Sequence, residues 1–180
     1  MLGFRSAAFG LTALWLAGCV TTSIDVTFAP GAIAVKGDGA TYLHAPSEAP
    51  IHIGDGKGDS EEIPREFRLA SPPRGYAWKF RRDRVPASAE MEVTMQNLDA
   101  AGDAAHCNTY AILNGTIVAG LNSGAGAGPV GRSVATFPLK PDAFRVGENV
   151  LQIAGEPCRS APAGDRLDDS LIRSVLIRVT

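Results

Sequence analysis

Tyr110-Ala111-Ile112-Leu113-Asn114-Gly115-Thr116-Ile117-Val118 sets two apolar runs on either side of Asn-Gly. Both residues of that pair tolerate positive φ, which a two-residue type I′ turn demands, and the twist of such a turn matches that of paired strands. The stretch predicts an antiparallel hairpin. Asn114-Gly115-Thr116 also spells a glycosylation acceptor, but the turn accounts for all three residues.

Outward from the hairpin, period-two alternation recurs. Met91, Val93 and Met95 alternate with Glu90, Glu92, Thr94 and Gln96; Val175, Ile177 and Val179 alternate with Leu176 and Arg178; Trp78 and Phe80, Phe67 and Leu69, and Ile24, Val26 and Phe28 keep the same spacing. Such alternation is that of a strand with one face buried. Twelve prolines and twenty glycines punctuate these runs, and no stretch of ten residues keeps a 3.6-residue apolar period. Short strands between Gly/Pro turns predict an all-β fold, an antiparallel β-sandwich or jelly roll of about eight to ten strands. A short helical turn fits Pro141-Asp142-Ala143-Phe144, where proline suits the first position.

Over Glu66 to Thr180 the order of features is the Asn-Gly hairpin, a strand ending Phe137-Pro138-Leu139, a connection through Phe144, Gly147-Glu148-Asn149-Val150-Leu151-Gln152-Ile153, and Asp168-Asp169 before a last strand. This order resembles a galactose-binding-like jelly roll. The resemblance implies that the Gly-Glu-Asn turn feeds a core strand through a side-chain-capped corner. It leaves function open, because the scaffold serves sugar binding, protein contacts and packing alike. The chain departs from calcium-binding members in lacking an acidic pair in its first strand.

The first eighteen residues carry one charge, Arg5, then an apolar stretch from Ala7 to Leu16, then Ala17 and Gly18. That is the order of a secretory signal, and the apolar run is far short of the roughly 20 residues that span a bilayer. Leu16-Ala17-Gly18-Cys19 resembles the lipobox of bacterial lipoproteins. The resemblance implies diacylglycerol on Cys19, cleavage before it, and fatty acylation, typically palmitate, of the new amino terminus. More than one chain is needed for stable anchoring, since each buried methylene contributes only about 0.8 kcal/mol. Val20 in place of aspartate after the cysteine implies the outer rather than the inner membrane, by the family's sorting tendency. The expected organisation is a signal peptide over 1–18, a lipidated N-terminus with a short tether or first strand over 19–31, and a single β-sandwich domain over 32–180.

Without those first 18 residues the chain of 180 keeps 162, with 16 basic and 19 acidic side chains. That is enough for one domain with a real core, and nothing in the mildly acidic balance points to a nucleic-acid partner. With Cys19 given to lipid, Cys107 and Cys158 remain as a pair in an oxidising compartment, which predicts a disulfide. The alternatives are a free thiol pair or a metal site with His106 beside Cys107, although zinc ligands normally come in closely spaced pairs and Cys158 has only Glu156 nearby.

Four features invite a functional reading. Lys79-Phe80-Arg81-Arg82-Asp83-Arg84 is the one basic cluster; on a strand Lys79 and Arg81 share the face opposite Trp78 and Phe80, where guanidinium forks match the oxyanions of a phosphorylated glycolipid or acidic glycan. Tyr76 and Trp78 share a face and are the candidate sugar platform, although with Phe80 in phase the same residues also suit a core. Asp168 and Asp169 point to opposite sides of a strand and cannot act as a paired acid and base, but in a loop they are candidates for calcium, against the alternative of a solvated turn. Gly126-Ala127-Gly128-Pro129-Val130-Gly131-Arg132-Ser133 approaches a phosphate loop, but arginine replaces the lysine, Pro129 removes a backbone donor and no helix follows; it reads as a surface loop.

No Gly-x-Ser-x-Gly is present, and none of His44, His52 and His106 stands beside a marked nucleophile. The sequence therefore favours a membrane-anchored envelope lipoprotein with a non-catalytic binding domain for a glycan or anionic envelope component, with no cofactor. The alternative is a structural or assembly lipoprotein acting through an envelope protein; an enzyme is the third reading.

Overall fold

The computed structural model describes residues 27–28, 39–56, 63–98, 107–125, 131–158 and 167–180. Ten strands lie among them: β1 Thr27–Phe28, β2 Ala40–His44, β3 Ile51–Ile53, β4 Gly75–Arg82, β5 Ala89–Gln96, β6 Thr109–Leu113, β7 Thr116–Gly120, β8 Arg132–Leu139, β9 Gly147–Gly155 and β10 Ser170–Val179. They form two sheets, β1-β4-β9-β6-β7 and β2-β10-β5-β8, with β3 also paired to β10. Every pairing is antiparallel except the short parallel one of β1 on β4. The expected all-β sandwich is what forms. Cys19, with the signal segment and most of the tether, lies outside the described residues.

Alternation decides which side of each strand meets the core. Trp78 and Phe80 of β4 and Leu151 and Ile153 of β9 face Met91, Val93 and Met95 of β5 and Val175, Ile177 and Val179 of β10 in one apolar cluster. Burying a large apolar side chain contributes about 1.5–3 kcal/mol, so a one-residue slip of any of these strands is costly.

The hairpin is as predicted and runs slightly longer, with Leu113 opposite Thr116 and a bulge between Ala111 and Ile112. Asn114 has φ 52° and Gly115 φ 86°. The Gly-Glu-Asn corner lies against it. Asn149 Nδ2 donates to the carbonyls of Arg145 and Gly147, and its Oδ1 accepts from Arg145 N–H and from Asn114 Nδ2. Asn114 in turn accepts Val150 N–H on its Oδ1 and donates its own N–H to Val150 O. One amide pair thus locks the β6–β7 turn to the entry of β9. The turn at 141–144 is a 3-10 helix over Pro141–Ala143.

Cys107 and Cys158 are joined, with Cα atoms 4.1 Å apart. They stand just outside the Thr109↔Gly155 pair of β6 and β9, and Glu156 N–H donates to Asn108 O at 2.7 Å between them. The ladder brings the two cysteines together.

Two expectations change. Phe67 and Leu69 are not a strand: Phe67 N–H donates to Pro64 O and Arg68 N–H to Arg65 O in tight turns, and Leu69 N–H goes to the His52 ring, so these donors are not given to a neighbouring strand. Phe67 instead lies under the Arg173 guanidinium, 5.7 Å from its ring centre. Of the glycine-rich stretch, residues 126–130 lie outside those described, and Arg132 and Ser133 open β8.

Candidate functional site

β4 carries most of the sequence-predicted site. Its neighbours in the sheet fix its phase: Lys79 pairs with Val150, Arg81 with Glu148 and Arg82 with Gly147. Trp78 is 1% exposed and lies in the core, 6.4 Å from the His44 ring. Tyr76 is half-buried against the same core, and burial raises its phenol pKa above the ordinary value. Neither ring forms a platform on the outer face of the sheet. The sugar-platform reading of Tyr76 and Trp78 gives way because the sandwich needs their apolar area on the same side as Phe80.

The opposite phase faces water. Lys79 and Glu148 are each 54% exposed and approach to 3.4 Å, a surface pair of small energetic value. Arg81 is exposed beside them, Arg82 is half-buried, and Arg84 is exposed in the turn that follows. Arg82 differs from its neighbours in that its Nε is buried without a hydrogen-bond partner among the described residues. The structure thus brings Lys79 and Arg81 together on one surface, with Glu148 beside Lys79, and sets Arg82 aside at the strand end.

Asp168 and Asp169 are both buried rather than in a solvated turn. Asp169 Oδ1 accepts from His52 Nε2 at 2.9 Å and from Gly56 N–H at 3.1 Å, and a Cβ at Gly54 would collide with this carboxylate. His52 Nδ1 accepts Leu69 N–H at 3.0 Å, which fixes the neutral tautomer with its proton on Nε2. N–H donors around an oxygen suit an anion, not a cation. No group of three or more His, Cys, Asp or Glu is arranged for a metal among the described residues. The N–H donors serve Oδ1 alone, while Asp169 Oδ2 is buried with no hydrogen-bond partner among the described residues.

The His52–Asp169 pair was not legible in the sequence, since 117 residues separate its members. It has the composition of half a catalytic triad. Both ring nitrogens are occupied, however, and both side chains are fully buried, and among the described residues no nucleophile bonds to the imidazole. The pair clamps β3, the turn through Leu69 and the start of β10. His44 is likewise buried; burial lowers its pKa below the ordinary value, against the raising effect of Glu48, whose Oε2 is 3.2 Å from its Nδ1.

No protein-family model matches the chain, and no curated protein sequence matches it. Solved structures similar to it include a family 35 carbohydrate binding module from an environmental isolate, with TM-score 0.39 and 10% identity over 59% of this chain and 69% of that one. CBM35 from Cellvibrio japonicus Abf62 has TM-score 0.36 and 15% identity over 77% and 91%. Dimeric latent PorU from Porphyromonas gingivalis has TM-score 0.36 and 13% identity, over 59% of this chain and 10% of that one.

Proposed function

We propose that the chain is a lipid-anchored envelope lipoprotein whose sandwich is a non-catalytic module that binds an anionic envelope component, such as a phosphorylated glycolipid or acidic glycan, on the outer face of β4. The observation that carries this reading is the phase of β4: burial of Trp78 and Phe80 leaves Lys79 and Arg81 on the solvent side. A protein that is mildly acidic overall thereby presents its one basic run on a rigid strand. Arginine forks suit phosphate and carboxylate oxygens, and attraction at such an exposed surface weakens with salt.

The test is retention of the protein on an immobilised anionic envelope glycolipid, comparing wild type with Arg81→Glu/Arg84→Glu. The variant is expected to elute at lower salt with its melting temperature nearly unchanged, since surface substitutions usually change stability by no more than about 0.5 kcal/mol each. Equal retention at low salt would move the weight to assembly through a protein partner. One observation favours that second reading: Ile117, 58% exposed, and Val134, 61% exposed, are apolar side chains on the edge strands β7 and β8.

A further inference from the structure

On the sheet opposite the basic face, β10, β5 and β8 bring Arg178, Glu90 and Pro138 into one row. The row borders a cleft of about 450 Å³ that is also lined by Ser88, Thr136 and Thr180, a size within the range of small-molecule sites. Arg178 Nη1 alone serves both acidic neighbours, at 3.2 Å from Glu90 Oε1 and 2.9 Å from Glu92 Oε2. The rest of the guanidinium fork and the second carboxylate oxygens make no further hydrogen bond among the described residues. Ser88 Oγ and Thr180 Oγ1 lie 2.6 Å apart, and Thr136 is exposed on β8.

We propose that this cleft is a binding site for an uncharged, hydroxyl-rich ligand, a neutral saccharide unit. Adjacent hydroxyls of a sugar ring each donate and accept, and a carboxylate beside a guanidinium offers the complementary pair. Pro138, exposed on β8, supplies an apolar surface for the C–H face of the ring. Other ligand classes fit less well. Glu90 lines the cleft, and Glu92, just outside it, also holds Arg178, so the one guanidinium is already matched by carboxylates, which disfavours phosphate or uronate; it stands between the two carboxylates, where a metal ion would sit; and a charged wall disfavours a purely apolar guest. The site uses no residue of β4 and does not rest on the function proposed above.

The experiment is an amide-shift titration of the full chain in detergent micelles with neutral oligomers of glucose, galactose, mannose and N-acetylglucosamine at millimolar concentration. At least one is expected to move the amides of Ser88 to Glu90, Thr136 and Arg178 to Thr180, saturably. Glu90→Gln is expected to raise its Kd about tenfold, the equivalent of roughly 1.4 kcal/mol, while Arg81→Glu leaves it unchanged. If Glu90→Gln fails to fold, Thr136→Val, which removes one exposed hydroxyl, carries the comparison and is expected to weaken binding severalfold. The proposal is overturned if none of the four sugars moves these amides, if the shifts gather on β4 instead, or if the folded variants bind as wild type does.

Discussion

All four hydrogen-bonding positions of the Asn149 side chain are engaged in a site with no solvent exposure. Alanine there would strand two carbonyls, one N–H and the Asn114 amide, each net bond contributing about 0.5–1.5 kcal/mol. Asn149→Ala is expected to lower unfolding free energy by about 2–6 kcal/mol in urea titration, by the same count; a loss well under 1 kcal/mol would mean that water replaces the amide. His44 provides a pH-dependent counterpart. Its folded pKa is lowered by burial, so between that value and about 6.5 the unfolded chain binds more protons. Stability is expected to be full above this window and to fall as pH drops through it, and His44→Gln should flatten that part of a melting-temperature profile. An unchanged slope in the variant would assign the effect to other groups.

At the scale of strands, what was legible followed from local rules. The Asn114-Gly115 turn needs positive φ at two positions, and few pairs other than Asn-Gly supply it; the β4, β5 and β10 alternations each place one face in the core. What was not legible depends on partners distant in sequence. Phe67 and Leu69 have the spacing of a strand, yet Leu69 N–H goes to the His52 ring, and β3, with three residues, is too short to show a period. The candidate site divided in the same way: the Lys79/Arg81 phase was readable, whereas the Arg178 row requires the register of three strands. The cysteine pair was readable from the count of three and the oxidising compartment that the sequence leads one to expect, and β6 and β9 supply its geometry. The cross-link spans 51 residues of chain, for which loop-closure entropy gives about 4 kcal/mol. Cys107→Ser/Cys158→Ser is expected to unfold at correspondingly lower denaturant with the same strand content. A double variant as stable as wild type would show that the β6–β9 ladder alone determines the pairing.

Across the whole molecule, the basic face of β4 and the Arg178 cleft belong to opposite sheets of the sandwich, so one module has two chemically different surfaces. The anchor and the sandwich are separable on physical grounds. No helix among the described residues is long and apolar enough to cross a membrane, whereas the core is closed by strands from β2 to β10. Attachment at Cys19 would then reside in acyl chains, each methylene adding about 0.8 kcal/mol of membrane affinity, and none of that energy would be needed for folding. Cys19→Ser is expected to move the protein from the detergent phase to the aqueous phase, with the circular dichroism spectrum and melting temperature of the sandwich kept. The released variant should still be retained on the immobilised anionic glycolipid and still lose that retention when Arg81 and Arg84 are reversed, because the strand that presents them is independent of the anchor. Partitioning of Cys19→Ser like wild type would remove lipidation from the reading and leave the sandwich and both of its surfaces to be judged by their own tests.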